Sequence, residues 1–246
     1  MQDSRLKITK NSKLFVLLKN YKDLKEVQNF DCDIFAVDFS ITSENDIEEA
    51  KNILKSVLPK ITKPLMVRGS GKADIDSKLL PYLIKNLDRK NCIISFATEA
   101  NYKDIIPYII EGEHYIVLKT PIDLNLAKEL NILSIDLGLN KDRIIMNTDI
   151  GGLGYGFEYG YSIMEKVVIE GNKGDIYLNM PLISEAPIES LKTKEARVKN
   201  YPQNWGELED RARMIELSSA AGALSAGANL VVIKYPENMK IMRGLV

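Results

Sequence analysis

The chain has 246 residues, 45% of them apolar and 27% charged, and its 33 basic and 34 acidic side chains leave a formal net charge of -1. This is ordinary globular composition, and the even spread of charge argues against a nucleic-acid partner, since such binders gather basic residues on one face or arm. No apolar run approaches a membrane span and the opening Met-Gln-Asp-Ser-Arg-Leu-Lys has no signal-peptide core, so a cytoplasmic protein without a membrane partner is expected.

Short β-rich runs recur along the chain with helical segments between them. The runs are 13–18, 33–38, 64–68, 92–97, 114–118, 143–147, 175–180 and 229–234. Most are near-continuous apolar runs rather than alternating ones, which marks strands covered on both faces, as in parallel sheets. After the second run, Ser43 precedes an acidic turn. Ile47, Ala50, Ile53, Leu54 and Val57 then follow at helical spacing, and Pro59 ends the helix. Pro121 opens a helix carrying Leu124, Ala127, Leu130 and Leu133, with Gly138 as its C-terminal cap. The connection after the seventh run is the longest, from Pro181 to about Asn229, with an extra helix expected over 187–199 and another over 208–227. Lys192, Lys194, Arg197 and Lys199 are punctuated by Glu189 and Glu195 and read as a solvated helix face. Eight strands alternating with helices, with no linker between halves, predict an α/β chain folded as a single (β/α)₈ TIM barrel over 13–246, preceded by a tail over 1–12. An open doubly wound sheet is the competing architecture.

In such a barrel function gathers at the carboxyl ends of the strands. That rule selects Asp38, Arg68 with Gly69-Ser70-Gly71, Thr98, Lys119-Thr120, Asn147-Thr148-Asp149, Asn179-Met180-Pro181 and Tyr235-Pro236. It demotes Cys32, Cys92 and His114, which fall at the opposite ends. The cysteines form no CxxC pair and His114 has no second ligand, so no iron–sulfur or metal site is expected in this chain. Arg68-Gly-Ser-Gly-Lys72 is not a P-loop, but its N–H groups lie at a helix start, where an anion would be cradled. Gly151-Gly-Leu-Gly-Tyr-Gly156 lacks the dinucleotide fingerprint; its glycines suit either a tight turn or the close approach of backbone to a flat ligand. Phe157 and Tyr161 share a helix face, as do Glu158 and Ser162. The paired aromatics pack on the barrel or line a pocket. Asp38 and Asp149 are the acid–base candidates, or they bind an amide-bearing ring. No Ser–His–Asp set is visible.

Several stretches together resemble the small (delta) subunit of the corrinoid iron–sulfur protein of the acetyl-CoA synthase/carbon monoxide dehydrogenase (acetyl-CoA decarbonylase/synthase) system. They are 121–133, 152–165, Met180-Pro-Leu-Ile183, Lys192-Thr-Lys-Glu-Ala196, Trp205-Gly206 with Arg211, and 226–236. The resemblance covers roughly residues 13–246. It implies a barrel related to methyltetrahydrofolate methyltransferases and dihydropteroate synthases. It also implies a heterodimer with a large subunit that carries the corrinoid (cobamide) and the iron–sulfur cluster. The pair would pass a methyl group from a methyltetrahydrofolate corrinoid methyltransferase to acetyl-CoA synthase, with this barrel as an accessory subunit covering the corrinoid. A stand-alone pterin-dependent methyltransferase barrel is the alternative. Strand ends and motif positions then give the residues expected to face the cofactor: Asp38, Arg68, Ser70, Asn147, Asp149, Gly152, Gly154, Gly156, Glu158 and Asn179. None is assigned a catalytic or metal-binding role. Where the family reads Asp-Pro-Thr at the sixth strand's end, this chain has Asn147-Thr148-Asp149, and only about 12 residues precede the first strand, fewer than the family usually has.

Overall fold

The computed structural model describes residues 7–24, 31–154 and 156–246. The first half of the expected tail, and Tyr155 of the glycine loop, lie outside the described residues. Strands and helices alternate in chain order: β1 Leu14–Asn20, β2 Ile34–Asp38, α1 Ile47–Val57, β3 Leu65–Arg68, α2 Ala73–Ile84, β4 Ile93–Ala97, α3 Tyr102–Glu111, β5 Tyr115–Lys119, α4 Leu124–Asp136, β6 Ile144–Asn147, α5 Phe157–Asn172 and β7 Ile183–Ser184. Two short helices, α6 Ala186–Ser190 and α7 Lys194–Arg197, then precede α8 Leu208–Ser225, β8 Leu230–Ile233 and α9 Pro236–Arg243.

Every strand pairing is parallel, in the order β6-β5-β4-β3-β2-β1-β8-β7. The ring closes where Met146 bridges Leu182 and its N–H donates to the Pro181 carbonyl at 2.8 Å. The chain is thus a (β/α)₈ barrel, and the open sheet is excluded. Asn229 pins the closure from the amino-end rim: its Oδ1 accepts from the Leu182 N–H and its Nδ2 donates to the Lys10 carbonyl.

Two apolar cores follow from the two-residue period of the strands. One face of each strand points outward to the helices, where Phe15, Leu17, Phe35, Val37, Leu65, Val67 and Ile94 meet Leu54, Leu79, Leu83, Ile105 and Ile106. The other face fills the barrel interior with Val16, Leu18, Ile34, Ala36, Met66, Ile93, Phe96, Val117, Ile145, Ile183, Leu230 and Val232.

The expected elements match the strands except the seventh. Residues 175–180 do not form a strand. The Asp175 side chain accepts from the Tyr177 N–H at 3.0 Å, an Asx turn that takes backbone groups away from any ladder. β7 lies further on, at Ile183–Ser184. The extra helix expected over 187–199 is two short helices, α6 and α7, with a turn through 191–193 between them. Among the described residues no helix is long and apolar enough to cross a membrane.

Candidate functional site

Continuing the inward-facing period of each strand by one step predicts which side chains rise at the carboxyl end. Ala36 leads to Asp38, Met66 to Arg68, Val117 to Lys119, Ile145 to Asn147 and Ile183 to Glu185. A polar layer therefore caps the apolar interior, and its members neutralise one another. Arg68 donates to Asp38 Oδ1 at 3.1 Å and to Glu185 Oε1 at 2.8 Å, and Lys119 Nζ lies 3.3 Å from Glu185 Oε2. Both cations also lie over Phe96, with the Lys119 ammonium 4.5 Å from its ring centroid. Asp38 also accepts from the Ser40 hydroxyl at 2.6 Å. Burial penalises the Glu185 carboxylate, but the charges of Arg68 and Lys119 overcome that penalty and hold its pKa at about 2. The same carboxylates keep Arg68 protonated despite its own burial.

A cavity of about 400 Å³ opens above this layer between Asp38, Arg68, Phe96 and Lys119 on one side and Ile188 and Lys192 on the other. Helix α6 lies across the mouth. Ile188 packs on the interior cluster from above. The helix is seated by Asp149, whose Oδ2 accepts from the Glu185 N–H and, at 3.1 Å, from the Ala186 N–H. Burial pushes the Asp149 carboxyl up to about 6 in spite of these hydrogen bonds. Among the described residues, five buried polar atoms on or just past β4, β5 and β6 have no hydrogen-bond partner: Ser95 Oγ, Thr120 Oγ1, Asn147 Nδ2, Thr148 Oγ1 and Asp149 Oδ1.

The residues singled out in the sequence separate into groups. Asp38, Arg68 and Ser70 line the cavity. Asn147 and Asp149 lie behind it, fully buried beside α6. The anion cradle expected at 69–71 is already filled: the Asp76 carboxylate accepts from the Ser70 and Gly71 N–H groups at 2.7 and 2.9 Å and from the Ser70 hydroxyl. Gly152 is buried and a Cβ there would stand 2.1 Å from the Ser190 nitrogen, so this glycine is fixed by the close approach of α6. Gly154 and Gly156 have positive φ and lead into α5, and Glu158 is exposed on its first turn. Phe157 packs on Gly222 of α8 and edge-on to Tyr161, so these aromatics serve helix packing. Asn179 is not at a strand's carboxyl end. It follows the Asx turn on the opposite rim, where Lys10 bonds its side chain.

The strand-end rule selects Lys119, but the sequence assigns it no role. Glu185 was missed because its strand is two residues long and was placed too early. One signal pointed to it: Arg68 and Lys119 at the ends of β3 and β5 bring two positive charges to the barrel mouth, and Asp38 balances only one. On the amino-end rim, the His114 ring accepts from the Cys92 N–H at 3.3 Å, and burial lowers its pKa to about 4. Among the described residues no three His, Cys, Asp or Glu side chains are grouped to hold a metal.

A family model described as CO dehydrogenase/acetyl-CoA synthase delta subunit matches residues 2–245. The acetyl-CoA decarbonylase/synthase complex subunit delta of Methanocaldococcus jannaschii is 25% identical over 224 residues, covering 89% of this chain and 55% of the relative. That of Methanopyrus kandleri is 27% identical over 221 residues, covering 88% and 54%. The chain thus spans about half the length of the curated relatives it matches. Among solved structures, dihydropteroate synthase from Thermus thermophilus in complex with 4-aminobenzoate superposes with a TM-score of 0.66 at 10% identity, covering 96% of this chain and 94% of that one. Yersinia pestis dihydropteroate synthase gives 0.63 at 12%, covering 96% and 94%. At such identities the likeness shows the fold alone.

Proposed function

The chain belongs to the CO dehydrogenase/acetyl-CoA synthase delta subunit family, and from that premise we propose that it is an accessory barrel that supports corrinoid-dependent methyl transfer by covering a corrinoid held on a partner subunit. The observation that carries this reading is the state of the barrel mouth. Arg68, Glu185, Lys119 and Asp38 form one mutually neutralising ion cluster on the floor of the cavity, and Ile188 packs on the interior from above.

The surface beside that charged mouth is of a different kind. Ile150, Leu153 and Tyr159 are exposed around the glycine loop, and Gly154 has open space where a side chain would stand. An exposed apolar patch of this sort marks a surface that a partner or ligand covers. A flat macrocycle with apolar edges fits it, with the backbone at Gly154 free to approach. Bound there, the corrinoid supplies the cobalt that carries the methyl group; this chain's residues shield and orient. In this reading the partner is a large subunit bearing the corrinoid and an iron–sulfur cluster. The methyl donor side is a methyltetrahydrofolate corrinoid methyltransferase and the acceptor side acetyl-CoA synthase, all in the cytoplasm. Coexpression with the large subunit tests it. The chain is expected to copurify with that subunit and with a visible corrinoid absorbance, whereas a chain that purifies alone contradicts the reading.

The unpartnered polar atoms favour one second reading. Asn147 Nδ2, Thr148 Oγ1 and Asp149 Oδ1 form a donor–acceptor set of the kind that binds the amide edge of a pterin, as a pterin-dependent methyltransferase barrel would require. Reaching them requires α6 to move aside. A methyltetrahydrofolate titration separates the two. Saturable binding that Asp149→Ala abolishes supports the pterin reading, and no binding supports the covering role.

A further inference from the structure

Two neighbouring helices of the outer layer repeat one irregularity. α2 contains Leu80-Pro-Tyr-Leu-Ile84 and α3 contains Ile106-Pro-Tyr-Ile-Ile110, so each has a proline within the helix. A proline has no N–H to give to the carbonyl four residues before it. The carbonyls deprived of that donor belong to Ser77 and Lys103. Both residues line a groove of about 490 Å³ between the two helices, together with both prolines and both tyrosines.

Charge on this groove is uneven. On the side toward α1, lysines have carboxylate partners: Lys78 bonds both oxygens of Glu44 at 2.7 Å, and Lys51 pairs with Glu48. Toward α3 they do not. Lys85 lies 4.7 Å from the Tyr108 ring centroid and Lys103 lies 5.7 Å from that of Tyr102. Among the described residues neither forms a salt bridge. Asp104 is the one acidic side chain in the lining and offsets only part of that charge.

We propose that the α2–α3 groove docks an extended acidic segment of a partner protein. Such a segment meets all three features at once. Its backbone N–H groups suit the two carbonyls, its carboxylates suit Lys85 and Lys103, and its aliphatic stems suit Pro107 and Tyr108. A phosphate polyanion would satisfy the lysines and leave the carbonyls unmatched. This inference does not depend on the reading of the strand-end face.

The test uses the full chain and a short fluorescein-labelled peptide rich in Glu and Leu, followed by fluorescence anisotropy at low salt. Saturable binding is expected. Lys85→Glu combined with Lys103→Glu is expected to weaken it by about tenfold or more. Both lysines are exposed, and far-UV circular dichroism checks that the fold is kept. Pro107→Ala returns a helical donor to the Lys103 carbonyl, and is expected to weaken binding by about threefold without lowering the melting temperature. The proposal is overturned by absence of saturable binding, by unchanged affinity in either variant, or by inorganic polyphosphate binding as tightly as the peptide.

Discussion

Replacing Glu185 by Gln removes the central negative charge of the barrel mouth while keeping the side chain's size. Its carboxylate has two buried cationic partners, Arg68 at 2.8 Å and Lys119 at 3.3 Å. In the variant only Asp38 remains to balance them. The fall of the Glu185 pKa from an ordinary 4.5 to about 2 corresponds to about 3 kcal/mol of stability at neutral pH. Removing one member of a buried pair costs about 3–5 kcal/mol, in agreement. For a chain of this size each kcal/mol moves the melting temperature by about 2–4 °C, so Glu185→Gln is expected to melt about 6–12 °C lower at pH 7. The pH dependence has a definite sign. A depressed folded-state pKa gives stability that is complete above about 4.5 and is lost as pH falls toward 2. Wild type is therefore expected to lose stability across that window more steeply than the variant. Thermal unfolding followed by circular dichroism from pH 7 to pH 2 measures both. A variant that melts within about 2 °C of wild type at pH 7, or that keeps the wild-type slope below pH 4.5, refutes the ion-cluster argument.

Asp149 has the opposite sign. Its folded-state pKa of about 6 stands above the ordinary 3.8, so its contribution is full below about 3.8 and is lost as pH rises through 6. Asp149→Asn keeps an acceptor for the Ala186 N–H, and its urea midpoint is expected to lose part of the rise that wild type shows between pH 7 and pH 5, the remainder coming from Glu216. Glu216, pushed up to about 7 by burial, accepts from the Lys234 and Tyr235 N–H groups and from Asn238, tying α8 to β8 and α9. Glu216→Ala leaves those donors unpaired and is expected to cost about 2–4 kcal/mol in urea unfolding. Gly152→Ala forces a Cβ into the Ser190 backbone and is expected to lower stability by about 2–4 kcal/mol. Gly154→Ala meets open space and carries only the strain of a positive φ, about 1 kcal/mol. Equal losses at the two glycines in parallel melts would contradict the seating of α6.

The barrel was legible because parallel strands buried on both faces are near-continuously apolar, and seven of the eight expected runs coincide with strands. β7 escaped for a physical reason. A two-residue strand carries no periodicity, while Ile176-Tyr-Leu178 just before it looks like one and is instead held in an Asx turn by Asp175. That slip moved the expected seventh strand end to Asn179, on the far rim, and hid Glu185. Asp38, Arg68 and Asp149 were found by the strand-end rule. Their pairing was not legible, since which charges meet depends on how α6 folds back across the mouth. The glycine loop divided along the same line: Gly152 answers to packing against Ser190, while Gly154 stands open.

The covering role rests on the exposed patch of Ile150, Leu153 and Tyr159 beside the ion-paired mouth. Affinity for the corrinoid-loaded large subunit, compared between wild type and a Leu153→Glu, Tyr159→Glu variant, tests it most directly, because both side chains are exposed and their replacement leaves the core intact. The account predicts that the variant melts like wild type and binds the large subunit at least about tenfold more weakly. Equal affinity of the two proteins would contradict it.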